Sequence, residues 1–111
     1  MGELRVINLE QKKKGEKMAR TEKIFKYVLE IMDRQFVNIP TPGIILSVIE
    51  QHDQPVLYAR TWEDAKEYIS YEILIFGTGN PITWDLSDYT FLGTVNTCLG
   101  RLIWHIFYKP I

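Results

Sequence analysis

From Ile24 onward the chain alternates between apolar and polar positions. In Ile24-Phe25-Lys26-Tyr27-Val28-Leu29-Glu30-Ile31, the residues Phe25, Tyr27, Leu29 and Ile31 fall on one side of an extended backbone and Lys26 and Glu30 on the other. That period of two marks a strand with one wet face. Met32-Asp33-Arg34-Gln35 is a polar break, and Phe36-Val37-Asn38-Ile39 is a shorter apolar run that Pro40 stops. Thr41-Pro42-Gly43 carries turn chemistry, since proline presets φ and glycine accepts a positive one. Ile44 to Ile49 is rich in β-branched residues and too short for a helix, and the polar Glu50-Gln51-His52-Asp53-Gln54 closes it off. It predicts a buried strand. Pro55 can open the next strand, Val56 to Arg60, because a strand's first residue need not offer a paired N–H. The two together predict a hairpin.

The period changes once. In Trp62-Glu63-Asp64-Ala65-Lys66-Glu67-Tyr68-Ile69, Thr61 can cap a helix, Glu63 and Asp64 suit its first turn, and Trp62, Ala65 and Ile69 share a face. A short helix and an irregular loop fit this segment equally well. Tyr71 to Phe76 returns to strand, and Gly77-Thr78-Gly79-Asn80-Pro81 ends it, since glycines and a proline cannot continue a ladder. Trp84-Asp85-Leu86-Ser87-Asp88 is polar enough for a loop. Tyr89 to Val95 and Leu102 to Tyr108 are the last strands, joined through Asn96-Thr97-Cys98-Leu99-Gly100-Arg101, whose glycine suits a hairpin turn. Six to seven closely spaced strands, at most one short internal helix and no strand-helix-strand alternation give a mainly β fold, a small antiparallel sandwich or curled sheet.

Charge alters this picture at the N-terminus. Residues 1–23 carry seven Lys/Arg against four Glu, a net +3 that leaves −4 for the rest of a chain whose total is −1. After Leu9 the segment has few large apolar residues, too little to offset its ordering entropy. It reads as a charged extension, frayed or loosely helical, ahead of a single β-rich domain over 24–111. A basic tail can touch phosphates, but the interleaved Glu argues against nucleic acid as a partner. One cysteine, Cys98, cannot form an intramolecular disulfide, and two histidines, His52 and His105, lack ligand-spaced companions, so neither metal nor cofactor is expected. No stretch approaches the roughly 20 apolar residues that span a bilayer. A membrane partner is therefore not expected.

No constellation specifies a reaction. His105 can be paired on paper with Asp85 or Asp88, as in any chain of this size, and Cys98 lacks a charged neighbour that favours the thiolate. The domain is expected to be non-enzymatic. Gly77 and Gly79 superficially resemble a phosphate-cradling loop, yet Pro81-Ile82-Thr83-Trp84 opens no helix to complete one, and a tight turn is the better reading. The aromatic residues say more. Trp62, Tyr68 and Trp84 fall where no core strand dictates them, and such aromatics serve a binding surface as readily as they cap a small core. With Gly77, Gly79, Asn80 and His105 they form the candidate surface, for a partner protein or for stacking a nucleotide-like molecule.

Five segments then occur in one order: Ile24 to Ile31; Ile45-Leu46-Ser47-Val48 followed by Gln51; Gly77-Thr78-Gly79-Asn80-Pro81-Ile82; Tyr89-Thr90-Phe91-Leu92-Gly93-Thr94-Val95; and Leu102-Ile103-Trp104-His105-Ile106-Phe107. In these blocks the chain resembles a family of small phage and prophage proteins with no assigned activity. The similarity covers nearly everything from Ile24 onward. Residues 1–23 look like an addition, and Arg60 to Ser70 departs from the family's proline-containing acidic loop, so the resemblance assigns no role to either. It implies the cytoplasm of an infected bacterium as the setting. It also implies a host-takeover or anti-defence factor whose partner is a host bacterial protein, with sequestration of a small nucleotide-like molecule as the alternative. An uncovered sheet edge in so small a domain also permits a homodimer.

Overall fold

The computed structural model describes residues 20–111. Seven strands account for its regular structure: β1 (Glu22–Val28), β2 (Arg34–Pro40), β3 (Pro42–Gln51), β4 (Gln54–Trp62), β5 (Tyr68–Gly77), β6 (Thr90–Thr97) and β7 (Leu102–Pro110). They form two antiparallel sheets, sheet A in the order β1-β4-β3 and sheet B in the order β2-β5-β7-β6. The fold is mainly β, and no helix occurs among the described residues. Most of the expected charged extension lies outside the described residues, while its last two residues, Glu22 and Lys23, open β1.

The two hairpins follow from local turn chemistry. His52 and Asp53, both at positive φ (53° and 67°), join β3 to β4 in the type I′ geometry whose twist matches the flanking strands. Cys98, Leu99 and Gly100, all at positive φ, turn β6 into β7. An Asp53 Oδ1 that accepts the Cys98 N–H at 2.8 Å ties the two tips together.

Two expectations are corrected: the first strand is shorter than the alternation predicts, and Ile44 to Ile49 is not a buried strand, because only one face of β3 meets the core and Ile44, Leu46 and Ile49 are exposed. The first strand stops at Val28, so Leu29 is buried beyond its end while Ile31 lies exposed on a loop. Of the two readings open for Trp62 to Ile69 the irregular link holds and the helix does not: β4 continues through Trp62, and only a short turn and link precede β5. Thr61, the expected cap, is a fully buried strand residue opposite both Lys23 and Pro42. Ladder pairing from strands on either side outweighs the weak helical preference of so short a segment.

Between the sheets lies a core that includes Leu29, Ile39, Val48, Leu57, Ile73 and Ile106. Each such side chain contributes about 1.5–3 kcal/mol when fully buried. Tyr71 bolts the sheets together, its hydroxyl on β5 donating to the Gly43 carbonyl on β3 and its ring standing edge-on to Tyr108. Burial raises the Tyr71 pKa. Strand β6 approaches β3 closely enough that a Cβ at Gly93 would sit 3.0 Å from Val48 Cγ1.

The outer face of β5 is buried as well. Segment 78–89 brings Trp84 edge-on to Phe76 at 6.0 Å, and Phe107 packs between Phe76 and Phe91. Leu74 and Glu72 on the same strand are buried with them. Arg34 Nε donates to Glu72 Oε2 at 2.6 Å. Burial pushes the Glu72 carboxyl up, but the Arg34 guanidinium, aided by the Tyr89 hydroxyl and Lys109, more than offsets this and holds it below the ordinary carboxylate value.

Candidate binding surface

The strand registers gather four connections at one end of the molecule: residues 29–33, the His52-Asp53 turn, Thr78-Gly79-Asn80 after β5, and the Cys98 to Arg101 tip. Gln35 holds the first of these in shape, its Nε2 donating to the Glu30 carbonyl at 2.7 Å and its Oε1 accepting the Glu30 N–H at 3.1 Å. The Asp33 carbonyl in turn accepts the Ile75 N–H at 3.2 Å. With both ends fixed, Ile31 and Met32 project outward and are exposed.

Two clefts share Trp104 as a wall. One, of about 230 Å³, opens between Trp104 and the Ile31-Met32-Asp33 loop. The other, of about 350 Å³, opens between Trp104, Thr78 and Arg101. Trp104 is fixed from behind, where its Nε1 donates to Thr97 Oγ1 at 2.9 Å. Gly77 lines both clefts, and a Cβ there would lie 3.1 Å from Trp104 Cζ3 and 2.9 Å from Asn80 Nδ2. The glycine therefore leaves room in front of the indole. Around the rim, Leu102 is exposed and Leu99, at the hairpin tip, is 95% exposed.

The residues singled out from sequence do not converge. Gly77 and Asn80 line the clefts, with Gly79 on the same turn at φ +90°. His105 stands beside that turn, its Nε2 2.7 Å from Thr78 Oγ1 and its Nδ1 3.1 Å from Thr94 Oγ1. Both ring nitrogens are thus engaged, and the imidazole pins the turn to β7 and β6. Trp84 lies on the outer face of sheet B against Phe76. Trp62 and Tyr68 sit at the opposite end of the molecule from the turn, because the ten residues of β5 run from Tyr68 to Gly77. Trp62 is also no open platform, since the Arg20 guanidinium lies 3.7 Å from its ring centroid while bonded to Asp64 at 2.9 Å.

Among the described residues no group of three or more His, Cys, Asp or Glu gathers in one place. No helix among them is long and apolar enough to cross a membrane. A family described as a domain of unknown function (DUF7352) matches residues 20–111. The chain belongs to that family. No curated protein and no solved structure matches the chain. For this DUF7352 domain, sequence reasoning missed Trp104, Ile31, Met32, Leu99 and Arg101. Leu99 did carry a signal, a large aliphatic side chain in the middle of a polar turn. Trp104 carried none, since an aromatic residue inside a strand reads as core.

Proposed function

We propose that this DUF7352 domain is a non-enzymatic binding protein that occupies a partner protein through its four-loop end. The observation that carries this reading is the set of exposed aliphatic side chains, Ile31, Met32, Leu99 and Leu102, around the clefts walled by Trp104. Apolar rims beside rigid pockets are what protein interfaces bury, and a few anchors supply most of the binding free energy. In the setting the sequence resemblance implies, an infected bacterium, the partner is a host protein and the effect is to block it.

The test is capture of a stoichiometric partner from bacterial cells by the tagged full chain, followed by affinity measurement. Replacing Met32 and Leu99 together with Glu should weaken binding at least about 30-fold, the loss of one strong anchor. Trp62→Ala, at the other end, should leave the affinity unchanged. Equal binding by the chain and its Met32/Leu99 variant would defeat the proposal. A second reading, a nucleotide-like ligand, is favoured by one feature, the indole of Trp104 beside the cationic Arg101 in the larger cleft. A thermal shift with a nucleotide panel that Trp104→Leu abolishes would support it, and a flat response would retire it.

A further inference from the structure

We infer that a second copy of this chain pairs with the outer edge of β1, in one particular antiparallel register. This surface is separate from the four-loop end, and the inference does not rest on the reading given there.

Strand β1 is an edge, hydrogen-bonded to β4 on one side and to no strand among the described residues on the other. It is also barely covered: Ile24 is 60%, Val28 52% and Phe25 44% exposed, so apolar side chains on both of its faces meet water. A seven-residue edge of this kind is a template for another strand.

The backbone determines which residues can accept that strand. The Glu63 N–H donates to the Thr21 carbonyl and the Leu29 N–H to the Pro55 carbonyl, in a ladder that sets Phe25 opposite Ala59. In an antiparallel pair hydrogen bonds involve alternate residues, so Lys23, Phe25 and Tyr27 turn their peptide groups toward β4. Glu22, Ile24, Lys26 and Val28 therefore direct their N–H and C=O groups to the open side. An incoming copy of β1 must match even-numbered residues with even-numbered residues.

Among those registers one is matched in charge. Centring the two-fold on Ile24 sets Ile24 against its copy and Glu22 against Lys26 at both ends, with Lys23 beside Phe25 of the other chain. Sliding by one step in one direction places Lys26 opposite Ile24. Two steps in that direction set Lys26 against Lys26, and one step in the other sets Arg20 against Lys26. Opposite charges across a strand pair stabilise it and like charges destabilise it. Lys26 is available for this role, because its only polar partner among the described residues is Gln51 Oε1 at 3.5 Å, while Glu22 holds Arg60 Nε at 2.8 Å through Oε1 and meets Lys26 of the other copy through its other oxygen. The product is a continuous sheet β3-β4-β1-β1-β4-β3, and antiparallel pairing sends the two four-loop ends in opposite directions.

Sedimentation of the full chain over a range of concentrations should show a monomer–dimer equilibrium. Ile24→Pro deletes only an outward N–H, which β4 does not use, and should give a folded monomer. In an Arg60→Gln background, which removes the present partner of position 22, Lys26→Glu sets carboxylates face to face and should raise the dimer dissociation constant roughly tenfold, whereas Glu22→Lys with Lys26→Glu exchanges the charges and should restore it. If Ile24→Pro does not fold, the charge-swap pair decides alone. A chain that stays monomeric at every concentration, a dimer indifferent to Ile24→Pro, or a double swap no tighter than Lys26→Glu overturns the inference.

Discussion

In sheet B the central strand β5 is covered on both faces, by the inter-sheet core on one side and by Trp84 and Phe107 on the other. In sheet A the outward Ile24, Val28, Ile44 and Ile49 stay exposed. The two sheets have similar strands, and the difference comes from where the connections go. The long link from β5 to β6 folds back over β5 and gives that strand a second apolar layer, whereas the links flanking sheet A are a two-residue turn and three crossings to the other sheet. Outward apolar residues therefore stabilise the monomer along β5 and remain free for association on sheet A.

The sharpest way to break this contrast is a pair of truncations. Phe76→Ala in sheet B should cost about 3–5 kcal/mol, the usual range for a buried phenylalanine. Ile49→Ala on sheet A should cost less than about 1 kcal/mol in denaturant unfolding, and comparable losses at both sites would erase the distinction.

Next in size is Arg34→Met, which strands the buried Glu72 carboxylate without its guanidinium and should cost about 1–3 kcal/mol. The same pair sets an acid limit. Glu72 has its pKa lowered on folding, so its contribution is full above the unfolded value and is lost as the pH falls through the folded one. Stability should therefore begin to drop as the pH falls through about 4.3, where unfolded Glu is half protonated, and Arg34→Met should flatten that limb in a pH series of melts.

The smallest effect concerns Thr61, whose Oγ1 is buried with no hydrogen-bond partner. Thr61→Val keeps the shape, removes the orphan hydroxyl and should stabilise the chain by about 1 kcal/mol. A loss of stability would mean that the hydroxyl is satisfied in solution.

The strands were legible because a period of two and glycine- or proline-marked turns are local signals. Both hairpins, β3–β4 and β6–β7, follow from them. Where a segment's neighbours in space decide its structure, local signals fail. Trp62 fitted the start of a helix or of a loop equally well but extends a strand and pairs with Glu22, a residue forty positions earlier in the chain. The candidate surface was readable only in part for the same reason. Gly77, Gly79 and Asn80 were recognisable as a turn, yet nothing local says that Ile31, Leu99 and Trp104 join them, or that Trp62 and Tyr68 lie at the far end. That arrangement depends on the order of strands in the sheets. The second layer on sheet B was invisible for a related cause, since a polar-looking loop gives no sign that its one tryptophan will fold back onto Phe76.

Strand β7 is the last of the seven in sequence but an interior strand of sheet B, flanked by β5 and β6. On the ribosome, then, residues 102–110 are made after everything they hold together. Until they emerge, β5 keeps an open hydrogen-bonding flank, and Ile75, which will face Ile106, has no cover on that side. A nascent chain in that state shows the unpaired apolar edge that chaperones shield. Closure of the domain is a late event, set by the position of one strand in the order of synthesis.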